Sequence, residues 1–325
     1  MNNKLYVIGN GFDLHHNLET SYYSFANYLK KNNIELYDTL ESYVSYPRTH
    51  NDLWWHFEDN LANLDADEIL SENSDRLPDY ASDEFRDRDR HVFPDIMENY
   101  LELLTSGLIK SFTEFIQEVE YPESSIEYLL ELDTNSWFLT FNYTKTLELL
   151  YGIDTKQITY IHNSAFYGSE DIVLGHGISP ESFKEEKPEP PEEVDPADYE
   201  KWYAENDDWD YSYDTGKESL WRYFELTFKP TQTIIKNNSS FFNNLKNIES
   251  IYILGHSISQ IDLPYFKELA NSVNKSVTWN VSYYNSNEKK RHLETLKSIG
   301  ITEDNIKQFE LVDIQKNNRQ LKLEI

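Results

Sequence analysis

The chain predicts an α/β fold in which a doubly wound, mostly parallel sheet carries a large helical insertion and an acidic surface insertion. A short apolar run at 4–8 ends in Gly9-Asn10-Gly11, as a buried parallel strand does when it runs into a tight turn. Six further strand-like runs follow after residue 132, with helical patterns after most of them. This alternation is typical of a Rossmann-like fold.

The predicted elements divide the chain into a core and two insertions. Short runs rich in β-branched and aromatic residues predict the later strands, at 137–141, 158–162, 172–174, 250–254, 277–284 and 309–314. Between 21 and 132 there is no strand signal, and amphipathic patterns predict helices at 22–31, 51–63, 93–120 and 124–132. We therefore expect a core made of 1–20 and 133–325, interrupted by a helical insertion at 21–132. A charged, exposed loop is expected within 65–90.

The acidic insertion is predicted at 184–220, where a Pro-rich stretch is followed by aromatic residues that alternate with carboxylates. This composition fits a helix packed against the core, a lid, or a flexible linker across 184–214. The sequence leaves all three arrangements open.

The composition narrows the class of function. Acidic residues outnumber basic ones 58 to 29, so a net charge of −29 repels phosphate backbones and we expect no direct nucleic-acid partner. Solubility alone explains the same charge, and a basic protein partner is the alternative. The lack of cysteine excludes disulfides, thiolate nucleophiles and cysteine-bound zinc. The apolar runs are too short for a signal peptide or a membrane helix, so we expect a cytoplasmic protein without a membrane partner.

The turn after the first predicted strand is the first candidate site. Gly9, Asn10 and Gly11 would let backbone amides approach a pyrophosphate at a helix N-terminus, with Phe12 beside them. The third glycine of the dinucleotide fingerprint is missing, so a plain strand-to-helix turn is equally compatible. Asp13 is either a helix cap or a partner for a ribose hydroxyl.

Two polar residues follow the next predicted strands. Asn142 ends the strand at 137–141, where it is either an N-cap or an amide that orients a ribose hydroxyl or a water, and Tyr143 next to it is a further ligand contact. His162 ends the strand at 158–162 and is either structural or a general base near neutral pH. Because the carboxyl ends of parallel strands share one edge, we expect these residues at the edge that binds ligands.

Two glycine-containing segments add further candidates. His176 lies between two glycines and has either a structural or a ligand-contacting role. Gly255, His256 and Ser257 follow the predicted strand at 250–254 and would approach a nucleotide closely. Asp262 is either an N-cap or a ligand contact. The histidines among these candidates lie in separate segments without short ligand spacing, so no metal is expected.

The motifs IGNGFDLHHNLETSY, TFNYTKTLE, IHN, LGHG and ILGHSISQIDLPYF, in this order over 4–266, resemble the bacterial AbiH abortive-infection family. AbiH proteins in turn resemble, more distantly, the sirtuin-like domains of anti-phage effectors, several of which cleave NAD when infection is sensed. This resemblance implies a sirtuin-like core with Asn142 and His162 as the catalytic pair, a glycine turn that holds the dinucleotide phosphates, and a ribose near 255–257. Thr144 stands where those domains usually carry an acidic residue, and the cysteine-free chain lacks the zinc ribbon of sirtuin deacylases.

The sequence and the resemblance together predict an anti-phage effector that binds NAD, or a related nucleotide, as substrate or ligand and hydrolyses its glycosidic bond. A non-catalytic nucleotide sensor or interaction protein is the first alternative, and a nuclease effector is the second. A phage-derived trigger, a defence partner protein and a second copy of the chain are the expected protein partners.

Overall fold

A computed structural model of the chain describes residues 3–46, 53–168, 171–184 and 209–316. Most of the acidic segment predicted at 184–214 lies outside these ranges, so its three arrangements remain predictions. Within the described ranges, no helix is long and apolar enough to cross a membrane.

Six parallel strands form one sheet in the order β3-β2-β1-β4-β5-β6. The strands are β1 (Lys4–Ile8), β2 (Trp137–Thr140), β3 (Ile158–Tyr160), β4 (Ser250–Leu254), β5 (Thr278–Ser282) and β6 (Ile306–Phe309). This is the order of doubly wound dinucleotide-binding sheets, in which the chain reverses its direction of winding between the strands numbered 1 and 4. The structure therefore confirms the predicted α/β, Rossmann-like fold.

Helices make up most of the remaining described chain. The α-helices are α1 (Asn10–His15), α2 (Tyr22–Asn32), α3 (Ile34–Tyr43), α4 (Phe57–Asn60), α5 (Ala66–Glu72), α6 (Val92–Glu102), α7 (Leu108–Gln117), α8 (Thr146–Tyr151), α9 (Tyr211–Trp221), α10 (Tyr223–Leu226), α11 (Thr231–Asn237), α12 (Ser239–Asn243), α13 (Leu263–Ser272) and α14 (Ser286–Ser298). A π-helical turn spans Leu103–Gly107. Short 3-10 helices are Leu53–His56, Leu61–Asn63, Ser74–Arg76, Asp87–His91, Glu123–Tyr128, Thr155–Gln157, Pro180–Phe183, Asn244–Asn247, Glu303–Asn305 and Leu311–Ile314.

The chain divides into two compact units. The sheet unit consists of Met1–Asn33, Ile109–Gly177 and Lys229–Ile325, and the helical unit consists of Ile34–Leu108 and Ile178–Phe228. Within the helical unit, α9 packs along α6. The predicted boundaries of the core and of the two insertions follow the sequence pattern and remain predictions.

Both faces of the sheet are buried, which explains the apolar sequence of its strands. Leu5 and Val7 of β1 lie in one apolar cluster, together with residues of β2, β4 and β5. Tyr6 and Ile8 point to the opposite cluster. The alternation along β1 thus supplies both layers of the core, and the polar side chains that follow the strands lie at the carboxyl edge.

Several predicted elements differ from the structure. The strand predicted at 172–174 is wrong: this segment is apolar because Ile172 and Leu174 are buried, not because it joins the sheet. The last strand ends at Phe309, and a 3-10 helix replaces the predicted continuation. The helix predicted at 93–120 is interrupted by the π-helical turn. Helices α3 and α5 were not predicted, because each is too short to show a clear helical pattern of apolar residues.

Candidate functional site

The glycines after β1 pack directly against the loop after β4. The amide of Gly11 donates to the Gly255 carbonyl at 2.7 Å, and the amide of Gly9 donates to the Leu254 carbonyl at 3.0 Å. A Cβ on Gly255, where φ is +63°, would lie 2.1 Å from the Phe12 nitrogen. A Cβ on Gly9 or Gly11 would also come within 3 Å of this loop. Glycine is therefore required here for backbone packing between the two central strands.

The other residues of the first turn have roles within the protein. The Asn10 amide donates to the Thr20 carbonyl at 3.0 Å, and the Thr20 hydroxyl donates to Asn10 at 2.6 Å. Phe12 is fully buried and packs against His16 and Tyr151. Packing accounts for these residues, and a role of the turn in holding phosphates remains a prediction.

A buried carboxylate lies at the start of α1. Asp13 is 0% exposed, its Oδ2 accepts a hydrogen bond from the Thr144 hydroxyl at 2.7 Å, and its Oδ1 has no hydrogen-bond partner among the described residues. Asn142 donates to the Gly9 carbonyl at 3.1 Å, and Thr146 lies 3.0 Å from Thr144, hydroxyl to hydroxyl. Burial raises the pKa of Asp13 to about 6, although the hydrogen bond from Thr144 and the nearby polar side chains of Thr146 and Asn142 oppose this effect. We call Asp13, Asn142, Thr144 and Thr146 the Asp13 group.

A second buried polar group surrounds Asp262, which immediately precedes α13. The Nζ of Lys229 lies 3.7 Å from Oδ1 of Asp262, and Nε2 of His162 lies 3.9 Å from the same oxygen. The Nε2 of His256 lies 3.7 Å from Oδ2, which also accepts a hydrogen bond from the Ser259 hydroxyl. We call Asp262, His162, His256 and Lys229 the Asp262 group.

Both histidines of the Asp262 group are neutral at pH 7. Burial lowers the pKa of His162 well below its usual range, and the charge of Lys229 lowers it further. Burial also lowers the pKa of His256 to about 3. Because Nδ1 of His256 accepts a hydrogen bond from the Ile258 amide at 2.9 Å, its proton resides on Nε2 and points to Asp262.

Aromatic side chains surround the Asp262 group. The ring of Phe141 packs edge-on against His162 and His256, with centroids 5.2 and 4.3 Å away. The Tyr143 hydroxyl donates to the Val173 carbonyl at 2.7 Å, which connects β2 with the loop after His162. These side chains bury the group and so strengthen the electrostatic interactions within it.

The loop from Gly255 to Asp262 is locally strained. Ile258 has a φ of +51°, which β-branched residues rarely adopt, and its side chain is buried. The Ser257 side chain is exposed, and its carbonyl receives a hydrogen bond from Nε2 of His292 at 3.1 Å. The strained loop fixes His256 and Asp262 relative to the end of β4.

The structure places the residues predicted from the sequence in two neighbourhoods. Asp13 and Asn142 belong to one polar group, and His162, His256 and Asp262 belong to the other. His176 is fully buried, and its carbonyl accepts a hydrogen bond from the Lys229 amide at 2.8 Å. Among the described residues, no group of three or more histidine or acidic side chains is arranged to hold a metal ion.

Sequence reasoning missed Lys229 and Thr146. Thr146 lies at the first position of α8, where a hydroxyl is an ordinary helix-start residue. Lys229 is a lone lysine before a proline, and nothing local indicates that its side chain is only 1% exposed. Thr144, noted in the sequence as a departure, donates to Asp13, so an acidic residue there would face a buried carboxylate.

Six parallel strands in the dinucleotide-binding order, with buried polar side chains after four of them, define a Rossmann-type α/β protein. The sequence model described as "Bacteriophage abortive infection AbiH" matches residues 5–283. The chain therefore belongs to the AbiH family, and its role lies in abortive infection against phage. No curated protein and no solved structure gives a significant match to it.

Proposed function

We propose that this AbiH protein is an effector that binds NAD or a related nucleotide at the carboxyl edge of its sheet and hydrolyses the N-glycosidic bond. One observation carries the proposal. Three buried polar atoms at this edge, Oδ1 of Asp13, Nε2 of His162 and Oδ1 of Asp262, have no hydrogen-bond partner among the described residues. Buried polar groups are nearly always satisfied, so an unsatisfied one calls for an explanation such as a catalytic role or a bound water or ion.

The proposed reaction uses water as the nucleophile. The bond between the ribose C1′ and the nicotinamide nitrogen breaks, and nicotinamide leaves with the electron pair. A water oxygen forms the new bond to C1′, and its proton passes to the neutral imidazole of His162. The products are nicotinamide, ADP-ribose and a proton. The Asn142 amide orients a ribose hydroxyl or the water in this scheme.

The Asp13 carboxylate supports the same proposal. Thr144 occupies the position where the resemblance to sirtuin-like domains leads us to expect an acidic residue. Oδ2 of Asp13, on helix α1, lies 2.7 Å from the Thr144 hydroxyl. We infer that Asp13 supplies the carboxylate of this site, in a position to accept a hydrogen bond from a ribose hydroxyl or to stabilise positive charge on the ribose.

The test is nicotinamide release from NAD by purified protein, with and without phage lysate. We expect Asn142→Ala and His162→Gln each to reduce the rate at least about 100-fold, because the first removes a group that orients the reactants and the second removes the general base. Asn280→Ala is the matched control, because Asn280 lies on β5 of the same sheet and its side-chain amide donates to the Ile251 carbonyl of the neighbouring strand. Wild-type release that both site variants retain would exclude this site as the source of the activity.

A nucleotide sensor without turnover is the second candidate. It is favoured by the separation of Asn142 and His162 into two polar groups, and by the low pKa of His162, which makes it a weak base. Calorimetry of NAD binding with the same variants distinguishes the two functions. Tight binding that Asn142→Ala weakens, without nicotinamide release under any condition, would favour the sensor.

A further inference from the structure

Lys229 is a buried cation that the proposed reaction does not use. Its side chain is 1% exposed, and its Nζ lies 3.7 Å from Oδ1 of Asp262. Its amide donates to the His176 carbonyl, and its carbonyl accepts from Thr231, so the backbone on both sides is held. A lysine is almost never fully buried unless it is paired, which points to a role for this charge.

The Asp262 group contains three basic side chains and one acidic side chain. In a buried environment, one anion stabilises one cation, and a second cation would lack a partner. An amine is a stronger base than an imidazole, so within this group the proton beside Asp262 belongs on the lysine. Lys229 is therefore the cation, Asp262 is the anion, and His162 and His256 stay neutral.

We infer that Lys229 is a positioning residue for His162: its buried ammonium satisfies the charge of Asp262 and so leaves the imidazole neutral and able to accept a proton. The catalytic part of this inference, that His162 accepts a proton from water, rests on the proposed function. The geometry of the charge cluster carries it without reference to any substrate.

Without the Lys229 ammonium, one of the two imidazoles beside Asp262 would take up a proton. With Lys229 gone, the carboxylate of Asp262 would favour a cation at 3.7 to 3.9 Å. A second proton on His256 would have to go to Nδ1 and displace the hydrogen bond from Ile258. The Nε2 of His162 has no hydrogen-bond partner to lose, so His162 would become the imidazolium.

Other groups pack against His162 from several elements. Tyr265 on α13 has its ring centroid 5.4 Å from the imidazole, and Tyr143 stacks at 6.4 Å. Among the described residues, the charged or basic groups that face His162 are Asp262, Lys229 and His256. The pair of Lys229 and Asp262 thus acts, together with burial, on the protonation of His162.

The experiment is NMR of histidine ring nitrogens in full-length protein at pH 7. The chain has 9 histidines, and the signal missing from His162→Gln identifies His162. We expect a neutral His162 in the wild type and in Lys229→Arg, and an imidazolium in Lys229→Met. The double variant Lys229→Met with Asp262→Asn removes both charges and returns His162 to the neutral form.

An imidazolium in the wild type, or a neutral His162 in folded Lys229→Met, would overturn the inference. If Lys229→Met does not fold, the double variant should recover the fold, since replacing both partners of a buried ion pair is tolerated better than removing one. A double variant that also fails to fold would assign Lys229 to packing and overturn the inference as well.

The catalytic consequence has a separate readout. If the protein cleaves NAD, Lys229→Met should shift the lower limb of its pH profile to higher pH, and Lys229→Arg should leave that limb in place. The NMR result does not depend on NAD cleavage. The proposed function can therefore fail while this inference stands. NAD cleavage with an unchanged His162 signal in Lys229→Met would show the opposite case, in which the inference fails and the function stands.

Discussion

At the scale of single residues, Asp13 has the clearest energetic signature. Its carboxyl group is fully buried, and its pKa rises from 3.8 to about 6 in the folded chain. Well below pH 3.8 the group is neutral in both the folded and the unfolded chain and does not affect stability. Between pH 3.8 and about 6 only the unfolded chain ionises this group, so the free energy of unfolding falls by about 3 kcal/mol over this range and stays at the lower value at higher pH.

We expect Asp13→Asn to remove this dependence. Relative to the wild type, the variant should gain about 3 kcal/mol of stability between pH 4 and pH 7, because an amide is neutral throughout. Urea unfolding of both proteins at the two pH values measures the difference. The comparison between variants cancels the titration of the other carboxylates. A difference that is independent of pH would contradict the raised pKa.

The polar strand ends could be predicted residue by residue, but their grouping could not. Asn142, His162 and Asp262 each follow or precede a recognisable element, so sequence position identifies them as edge residues. Which of them share a neighbourhood depends on the direction of each side chain after its strand ends. The burial of Lys229 depends on packing by distant segments, so no local pattern predicts it.

At the scale of elements, the turn after β1 and the loop after β4 form one packed unit. The close approach requires glycine at 255, which also has a positive φ. We expect Gly255→Ala to lower the free energy of unfolding by about 3 kcal/mol or more, because the new methyl group overlaps the backbone of Phe12.

Gly152→Ala is the matched control for this substitution. Gly152 ends α8 with a φ of +66°, and a Cβ there would meet no atom within 4 Å. It should cost about 1 kcal/mol, the penalty of a left-handed backbone alone. Thermal or urea unfolding compares the two variants. Equal costs would show that φ, and not contact between the two loops, explains the glycine at 255.

Strands of the sheet were predictable because both faces are buried and the runs are apolar throughout, as in β1 and β4. The segment at 172–174 has the same composition without a neighbouring strand to pair with. Composition reports burial, and pairing depends on the rest of the fold. The helical segments 34–43 and 66–72 are short, and packing within the helical unit stabilises them more than their own sequence does.

At the scale of the whole molecule, the net charge of −29 should destabilise the folded chain through self-repulsion. Salt shortens the range of these interactions from about 30 Å at 0.01 M to about 8 Å at 0.15 M. We expect the melting temperature to rise by several degrees over this range. Sodium chloride and potassium chloride should act equally, and a melting temperature that stays constant would contradict the idea.

The position of β1 at the centre of the sheet determines when the sheet can assemble. Leu5 pairs with Trp137, and Lys4 pairs with Ser250, so β1 can gain its second neighbour only after residue 250 has been synthesised. Pairing over such separations makes folding slow. A chain cut short before residue 250 lacks β4 and the Asp262 group, so fragments released during synthesis would carry no complete site.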